Sequence, residues 1–504
     1  MQSRTKRWLR RPRPTFLCLA VLAGTLVQAQ SNAGRTCPTP GFDARPWLED
    51  FDQLTTEMAA HYSDLEYAIE GRHMDLPELR RETEATLGAS CSENEAKQAL
   101  QSFLRLFGDG HLGIEWAERA AQATPEKTAP LCSRLGYKKW ALNPGIDFSQ
   151  LPQFSSVGGD GAGWFPGGIL KLSENERLGV IRIAIFSEHA FPDACEEVVQ
   201  SMHLADSDKC DQECKNKVGY KTGDLLTAAL LRRSAQLQSA GASAILVDIT
   251  HNDGGSDWVD SVVRALSRTP LRESPYGFIK HEHWTRELQE RLADVETDLK
   301  QGKEPKDLLR LAAERLRSGI ARSQEKCDRS GVWKDGKLTC SLVVSGLLYS
   351  SGVLPYAEPG SLATLESRST LFHPLDYTYT ESSARPRLYV VVDAHTWSSA
   401  EYFSFLLQDN SAATILGEVT GGAGCGFTNG GIPTTLRNSR ATVKMPDCVH
   451  FRKDGSNANA GVTPDFLVPW SSHDNSYLKA EKLFRSLGNV VSTRSKEPRH
   501  ETHS

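Results

Sequence analysis

LYVVVDAHTWSSAEYFSFLLQD, residues 388–409, decides the fold. Leu388–Val392 is an unbroken apolar run of strand length, and Ser398-Ser399-Ala400-Glu401 opens a helix after a short turn. The same grammar recurs in AILVDITHNDGGSDWVDSVVRAL, residues 244–266, where an apolar run ends at Asp248, a turn carries Gly254-Gly255 and a helix follows. A strand buried on both faces reads as a continuous apolar run, so the pair predicts buried strands alternating with helices, a mixed α/β pattern. Working outward, the spacing predicts strands over 178–185, 244–249, 387–393 and 413–417. It predicts helices over 223–238, 257–266 and 399–407.

Before this α/β region, apolar residues recur at three- and four-residue intervals over 46–106: Leu48, Phe51, Leu54, Met58, then Leu76, Leu79, Leu87, then Leu100, Phe103 and Leu104. That is a helical subdomain, with Ser92 and Glu95 in capping-box positions. Residues 117–177 are rich in Gly, Pro and Ser and read as loops and short strands. Within the α/β region, 284–325 is charged and amphipathic and reads as a helical insertion on the main domain. The expected division is a leader over 1–29, a helical subdomain over 30–116, a small β/loop region over 117–177, a core over 178–480 containing that insertion, and a disordered polar tail over 488–504.

The chain has 504 residues, 58 Lys plus Arg and 63 Asp plus Glu, with a net charge of −5. Collagen-like, prion-like and wholly disordered classes are excluded by that composition, and the charge speaks against a nucleic-acid partner. Lys6, Arg7, Arg10, Arg11 and Arg13 precede an apolar run, Phe16–Val27, and Val27-Gln28-Ala29 is a small-x-small cleavage site. This order marks a signal peptide too short in its apolar part for a membrane span. Its removal leaves 52 Lys plus Arg against 63 acids, net −11, on an exported protein. Eleven Cys less Cys18 leaves ten, an even number suited to an oxidising compartment. Cys327–Cys340 and Cys425–Cys448 are the expected local pairs. Cys37, Cys91, Cys132 and Cys195 would supply longer bridges, and Cys210 and Cys214 pair together or with others.

Three short segments carry the chemistry. A serine at a helix start, Ser398 or Ser399, is either an N-cap or a group placed where unpaired amides favour developing negative charge. Gly254-Gly255 after a strand is either a plain turn or a backbone bent to aim N–H groups into a cleft. In LRLFGDGHLGIEW, residues 104–116, Asp109-Gly110-His111 follows a helix and precedes a short strand. In order along the chain stand Asp109-Gly110-His111, Leu178-Gly179-Val180-Ile181-Arg182-Ile183, Asp248 with Asn252-Asp253-Gly254-Gly255, Ser398-Ser399-Ala400-Glu401, Leu416-Gly417-Glu418-Val419-Thr420-Gly421 and Gly461-Val462-Thr463-Pro464-Asp465. Together they resemble the tail-specific (C-terminal processing) serine protease family, in the branch of the tricorn core protease and the interphotoreceptor retinoid-binding protein.

The resemblance implies a crotonase-like β/α core, no metal or cofactor, Ser398 as nucleophile, and oxyanion donors from Ser399 and the Gly254-Gly255 turn. The lysine that many members use as base is missing, because no Lys occurs between Ser398 and Lys444. In the histidine branch the base maps to His111, with His395 and His251 as competitors. That branch has a Glu before its Gly-Val-x-Pro-Asp segment; here Asp454, Asn457 or Asn459 would have to orient the imidazole. The short 117–177 interval suggests no PDZ module. His281-Glu282-His283 is read as a solvated helix start rather than a metal fragment, and Gly158–Gly163 as a flexible loop rather than a phosphate cradle. The expected function is an exported serine peptidase acting on peptides or unfolded proteins. The alternative is a catalytically silent protein of the same fold that binds apolar ligands or peptides.

Overall fold

The computed structural model describes residues 41–116, 129–159 and 161–494. The expected leader, Cys18 and Cys37 lie outside that range. Four helices come first: α1 (Arg45–His61), α2 (Leu65–Glu70), α3 (Leu76–Gly88) and α4 (Glu93–Arg105), followed by strand β1 (Gly113–Glu115). After helix α5 (Leu131–Arg134) come β2 (Phe154–Ser156), β3 (Gly167–Lys171), β4 (Arg177–Arg182), α6 (Pro192–Ser201), α7 (Gln212–Ser239), β5 (Ala244–Asp248) and α8 (Trp258–Leu266). Next stand β6 (Pro275–Ile279), α9 (Glu282–Lys300), α10 (Lys306–Ser323), α11 (Val332–Asp335), β7 (Val343–Tyr349) and α12 (Arg368–Leu371). The chain then returns through β8 (Arg387–Val392), α13 (Ser399–Asp409), β9 (Ala413–Gly417), β10 (Thr434–Thr435), β11 (Thr442–Lys444), β12 (Cys448–His450), β13 (Phe466–Leu467) and α14 (Ser476–Arg494).

Seven strands form the central sheet in the order β13-β9-β8-β5-β4-β3-β2. The five from β13 to β4 run parallel, and β3 and β2 complete the edge antiparallel. Alternate side chains of each strand enter two different cores, as the period of two requires. Ile245, Val247 and Val390 pack with Leu226, Leu230, Trp258, Phe403 and Leu406 on one face. Leu246, Tyr389 and Val391 pack with Leu483, Leu487 and Val490 on the other. The fold is therefore α/β, with a helical subdomain before the core and a helical insertion within it.

Three expectations change in detail. Residues 129–177 do not stand apart: β2 and β3 are the edge of the central sheet. The insertion is larger than its two helices, since α9 and α10 pack on a three-stranded sheet, β12-β6-β7, through Trp284, Leu288, Leu316 and Phe278. The expected disordered tail does not begin at 488, because α14 runs to Arg494 and Leu487 and Val490 are buried. A second small sheet, β1-β11-β10, ties the helical subdomain to the last third of the chain.

Disulfides join Cys132–Cys195, Cys210–Cys214, Cys327–Cys340 and Cys425–Cys448. The carbonyls of Gly158, Phe165 and Gly167 converge on the buried guanidinium of Arg233. That glycine-rich segment thus holds a structural cation, the opposite charge to a phosphate. No helix among the described residues is long and apolar enough to cross a membrane.

Candidate active site

Strand β8 ends at the C-terminal edge of the sheet, beside the end of β5, and the two following turns are stitched together. Trp397 N donates to Asn252 O at 2.9 Å, and Thr396 Oγ1 donates to Ile249 O at 3.1 Å. The strand–turn–helix leaves Ser398 at φ 54°, ψ −124°, a conformation that costs a non-glycine residue about 1–3 kcal/mol. Its hydroxyl makes no helix-capping bond. Instead Ser398 Oγ lies 3.1 Å from His111 Nε2, a contact that spans 287 positions of sequence.

His111 reaches Ser398 from the turn between α4 and β1. Asp109 Oδ1 accepts the His111 backbone N–H at 2.9 Å, which fixes the turn. Gly110 packs its backbone against the Trp397 indole, where a Cβ would collide with the ring. The imidazole meets Phe427 edge-on, with centroids 5.9 Å apart. Burial pushes the pKa of His111 down, while the Asp109 carboxylate and the Cys425 carbonyl oppose that shift. The Cys425 carbonyl faces the ring, but Nδ1 makes no full hydrogen bond to any described residue. The competing histidines are engaged elsewhere: His251 Nδ1 sits 2.6 Å from Asp393 Oδ2, and His395 stacks on His251 at 4.6 Å.

None of the three residues expected to orient His111 touches it. Asp454 is exposed and accepts Ser456 N at 2.9 Å within its own turn. Asn457 Nδ2 donates to Asp64 Oδ1 at 2.6 Å. Asn459 accepts Gly424 N at 3.0 Å and donates to Asp109 Oδ2 at 3.2 Å. Asp109 Oδ2 also accepts the Tyr62 hydroxyl at 2.9 Å. The charge behind the imidazole is therefore that of buried Asp109, with Asp64 next to it. Burial, and then the Asp109 charge, push Asp64 up to about 7. Asp109 was visible in its motif, two residues before His111; Tyr62 and Asp64 carry no local signal.

The Gly254-Gly255 turn divides into one structural and one available amide. A Cβ on Gly254 would lie 2.7 Å from Ser399 N, so only glycine lets the turns pack this closely. Its own N–H donates to Asn252 Oδ1 at 2.9 Å, which removes Gly254 from the expected oxyanion donors. Gly255 bridges Phe186 in parallel through Gly254 O and Ser256 N, which turns the Gly255 N–H to the opposite side. Gly255 is exposed and lines the cavity that holds Ser398 and His111. Ser399 N, the first amide of α13, has no acceptor within its helix.

Glu401, quoted in the motif without a role, is buried one turn into α13. It accepts the Thr420 hydroxyl, Gly422 N at 2.8 Å and Ala423 N at 2.6 Å. This anchors the 420–427 loop, whose Gly426 and Phe427 wall the His111 ring. Glu401→Gln places an NH₂ against one of those N–H donors. The expected loss is about 1–3 kcal/mol of stability, read by urea unfolding, with a larger fractional loss of activity than of folded protein at 25 °C. Equal losses would limit Glu401 to a role in folding.

The cavity beside Ser398 has a volume of about 740 Å³ and lies between α8 and α13 of the core and the β6–β7 side of the insertion. His281 caps α9 by accepting His283 N at 3.0 Å, and His283 Nε2 contacts Thr428 O at 2.8 Å. No group of three or more His, Cys, Asp or Glu among the described residues is placed to hold a metal ion.

The pattern of peptidase family S41 matches residues 177–468. No curated protein matches the chain in sequence. Among solved structures, a point mutant of CPAF is similar at 13% identity, covering 90% of this chain and 98% of that one, with a TM-score of 0.54. Mature CPAF is similar at 14% identity, covering 90% and 99%, with a TM-score of 0.53. Mature CPAF complexed with lactacystin follows at 14%, 89% and 98%, with a TM-score of 0.52. At such identities the likeness is one of fold.

Proposed function

We propose, on the premise that the chain belongs to peptidase family S41 and is a serine-type peptidase, that Ser398 is its nucleophile and His111 its general base. The observation that carries this reading is the 3.1 Å contact between Ser398 Oγ and His111 Nε2. Ser398 attacks a peptide carbonyl as His111 takes its proton, and the developing oxyanion meets the N–H groups of Ser399 and Gly255. The imidazolium then protonates the leaving amine, and water hydrolyses the acyl-enzyme by the same route. Asp109 stabilises the imidazolium by charge without a direct hydrogen bond, in place of the missing Glu.

The substrates are peptides or proteins, as for the family, and we assign to them the unfolded chains of an exported compartment. The basic and apolar leader of the sequence and the four disulfides among the described residues support that location. Tyrosine, serine and histidine side chains line the cavity, which counts against the alternative of a silent binder of apolar ligands.

Incubating a mixture of unfolded proteins with the mature chain and mapping new peptide termini tests this function. New termini are expected with the wild type and none with Ser398→Ala. Identical maps would reject the peptidase assignment and favour the binding protein.

A further inference from the structure

The active-site cavity holds a second imidazole that the chemistry above does not use. His450 ends β12, opposite Tyr276 of β6. Its ring is packed by Tyr276 at 5.2 Å and by Tyr402 and Phe405, each at 5.9 Å between centroids. Ser350 Oγ, just past the end of β7, lies 2.7 Å from His450 Nδ1. The other acceptor near that hydroxyl is Ser274 O at 3.5 Å, which already takes the Ser350 backbone N–H at 3.2 Å. Assigning the hydroxyl proton to the shorter of these contacts, the one to Nδ1, places the ring hydrogen on Nε2. Nε2 has no partner among the described residues, and His450 lines the same cavity as Ser398 and His111. Burial pushes the pKa of His450 down to about 4, so the ring is neutral at working pH.

Asp260, the carboxylate that acts on the His450 ring, is already paired. Asp260 is held by Arg264 NH1 at 3.0 Å, His373 Nδ1 at 3.3 Å and the Tyr402 hydroxyl at 2.6 Å. Asp260 thus already accepts three hydrogen bonds, two of them on Oδ1. Beside the aromatic rings, His450 offers an incoming residue a fixed, uncharged hydrogen-bonding group.

Resting on the peptidase reading, we propose that His450, oriented by Ser350, is a specificity-determining residue. Its Nε2–H donates to the side-chain carbonyl of an amide residue, Gln or Asn, flanking the bond to be cut. A site built to hydrogen-bond a substrate group rejects an apolar substitute more strongly than an apolar slot rejects a polar one, because the buried donor is left unpaired.

Two measurements test this. In the peptide map of the wild type, Gln and Asn should be enriched at one side of the cuts by about 10-fold or more over Leu and Met. His450→Phe keeps the aromatic packing but has no ring N–H, and that enrichment should collapse toward one. Ser350→Ala, which frees the ring hydrogen to move to Nδ1, should reduce it several-fold. Separately, Ser398→Ala protein should bind pooled blocked heptapeptides with a fixed central Gln more tightly than those with a fixed central Leu, and the difference should vanish in Ser398→Ala/His450→Phe. Aliphatic residues at the wild-type cuts, or a Gln preference that survives His450→Phe, would overturn the assignment. The binding arm separates the two ideas. With no cleavage but a Gln preference that depends on His450, the peptidase reading fails and the subsite stands. With cleavage but no such preference, the subsite fails alone.

Discussion

Ser398→Ala is expected to reduce cleavage by about four to six orders of magnitude, leaving only the residual rate that binding and the oxyanion donors supply. Its effect on the thermal midpoint should be negligible, because the hydroxyl caps no helix and its polar neighbour is His111. The backbone makes a second, sharper expectation. Ser398 sits at φ 54°, where any side chain is strained. Ser398→Gly removes that strain and should raise stability by about 1 kcal/mol while being as inactive as the alanine variant. Urea unfolding followed by circular dichroism measures both. Loss of stability in Ser398→Ala would make the serine a structural element. An unstrained turn would show no gain with glycine.

His111→Ala should lower the rate about as much as Ser398→Ala, and the double variant should be no worse than either. Nucleophile and base act as one unit, so their losses do not add. The pH profile carries a sign. His111 works as the neutral base, and burial lowers its pKa from 6.5. The kcat/KM value should therefore hold through neutral pH and fall only as pH drops below 6.5 and the imidazole protonates. In Asp109→Asn the carboxylate that favours the imidazolium is gone, so the acid limb should move to still lower pH. Its rate at pH 8 should fall about 10- to 1000-fold. An acid limb above 6.5, or one unmoved by Asp109→Asn, would remove the carboxylate from the account. A His111→Ala rate close to wild type would remove the histidine.

Much of this was legible in the chain because it is written locally. β5, β8 and β9 are apolar runs bounded by Asp or Gly, and each is followed by residues that must turn sharply. Ser398 stands out for the same reason, at the joint of strand and helix. Strand β3, next to the edge of the sheet, was hidden because Gly167 and Gly168 begin it and leave no alternation to read. The last turns of α14 were hidden among Arg485, Ser486, Asn489 and other polar residues, although Leu483, Leu487 and Val490 supply its buried face. The partners of Asp109 were illegible for a deeper reason. Asp64 and Tyr62 reach Asp109 and Asn457 only when α1, α2 and the 454–460 turn come together, so no spacing in the chain announces them. Likewise, the split between Gly254 and Gly255 depends on where one side chain, Asn252 Oδ1, finds a donor.

The most direct test of the Ser398–His111 unit is covalent labelling with a fluorophosphonate, read by intact mass and peptide sequencing. A single adduct on Ser398 of the wild type is predicted. The label should be absent in Ser398→Ala and slowed at least about 1000-fold in His111→Ala. Labelling at another residue, or at Ser398 with equal speed when His111 is removed, would contradict the mechanism.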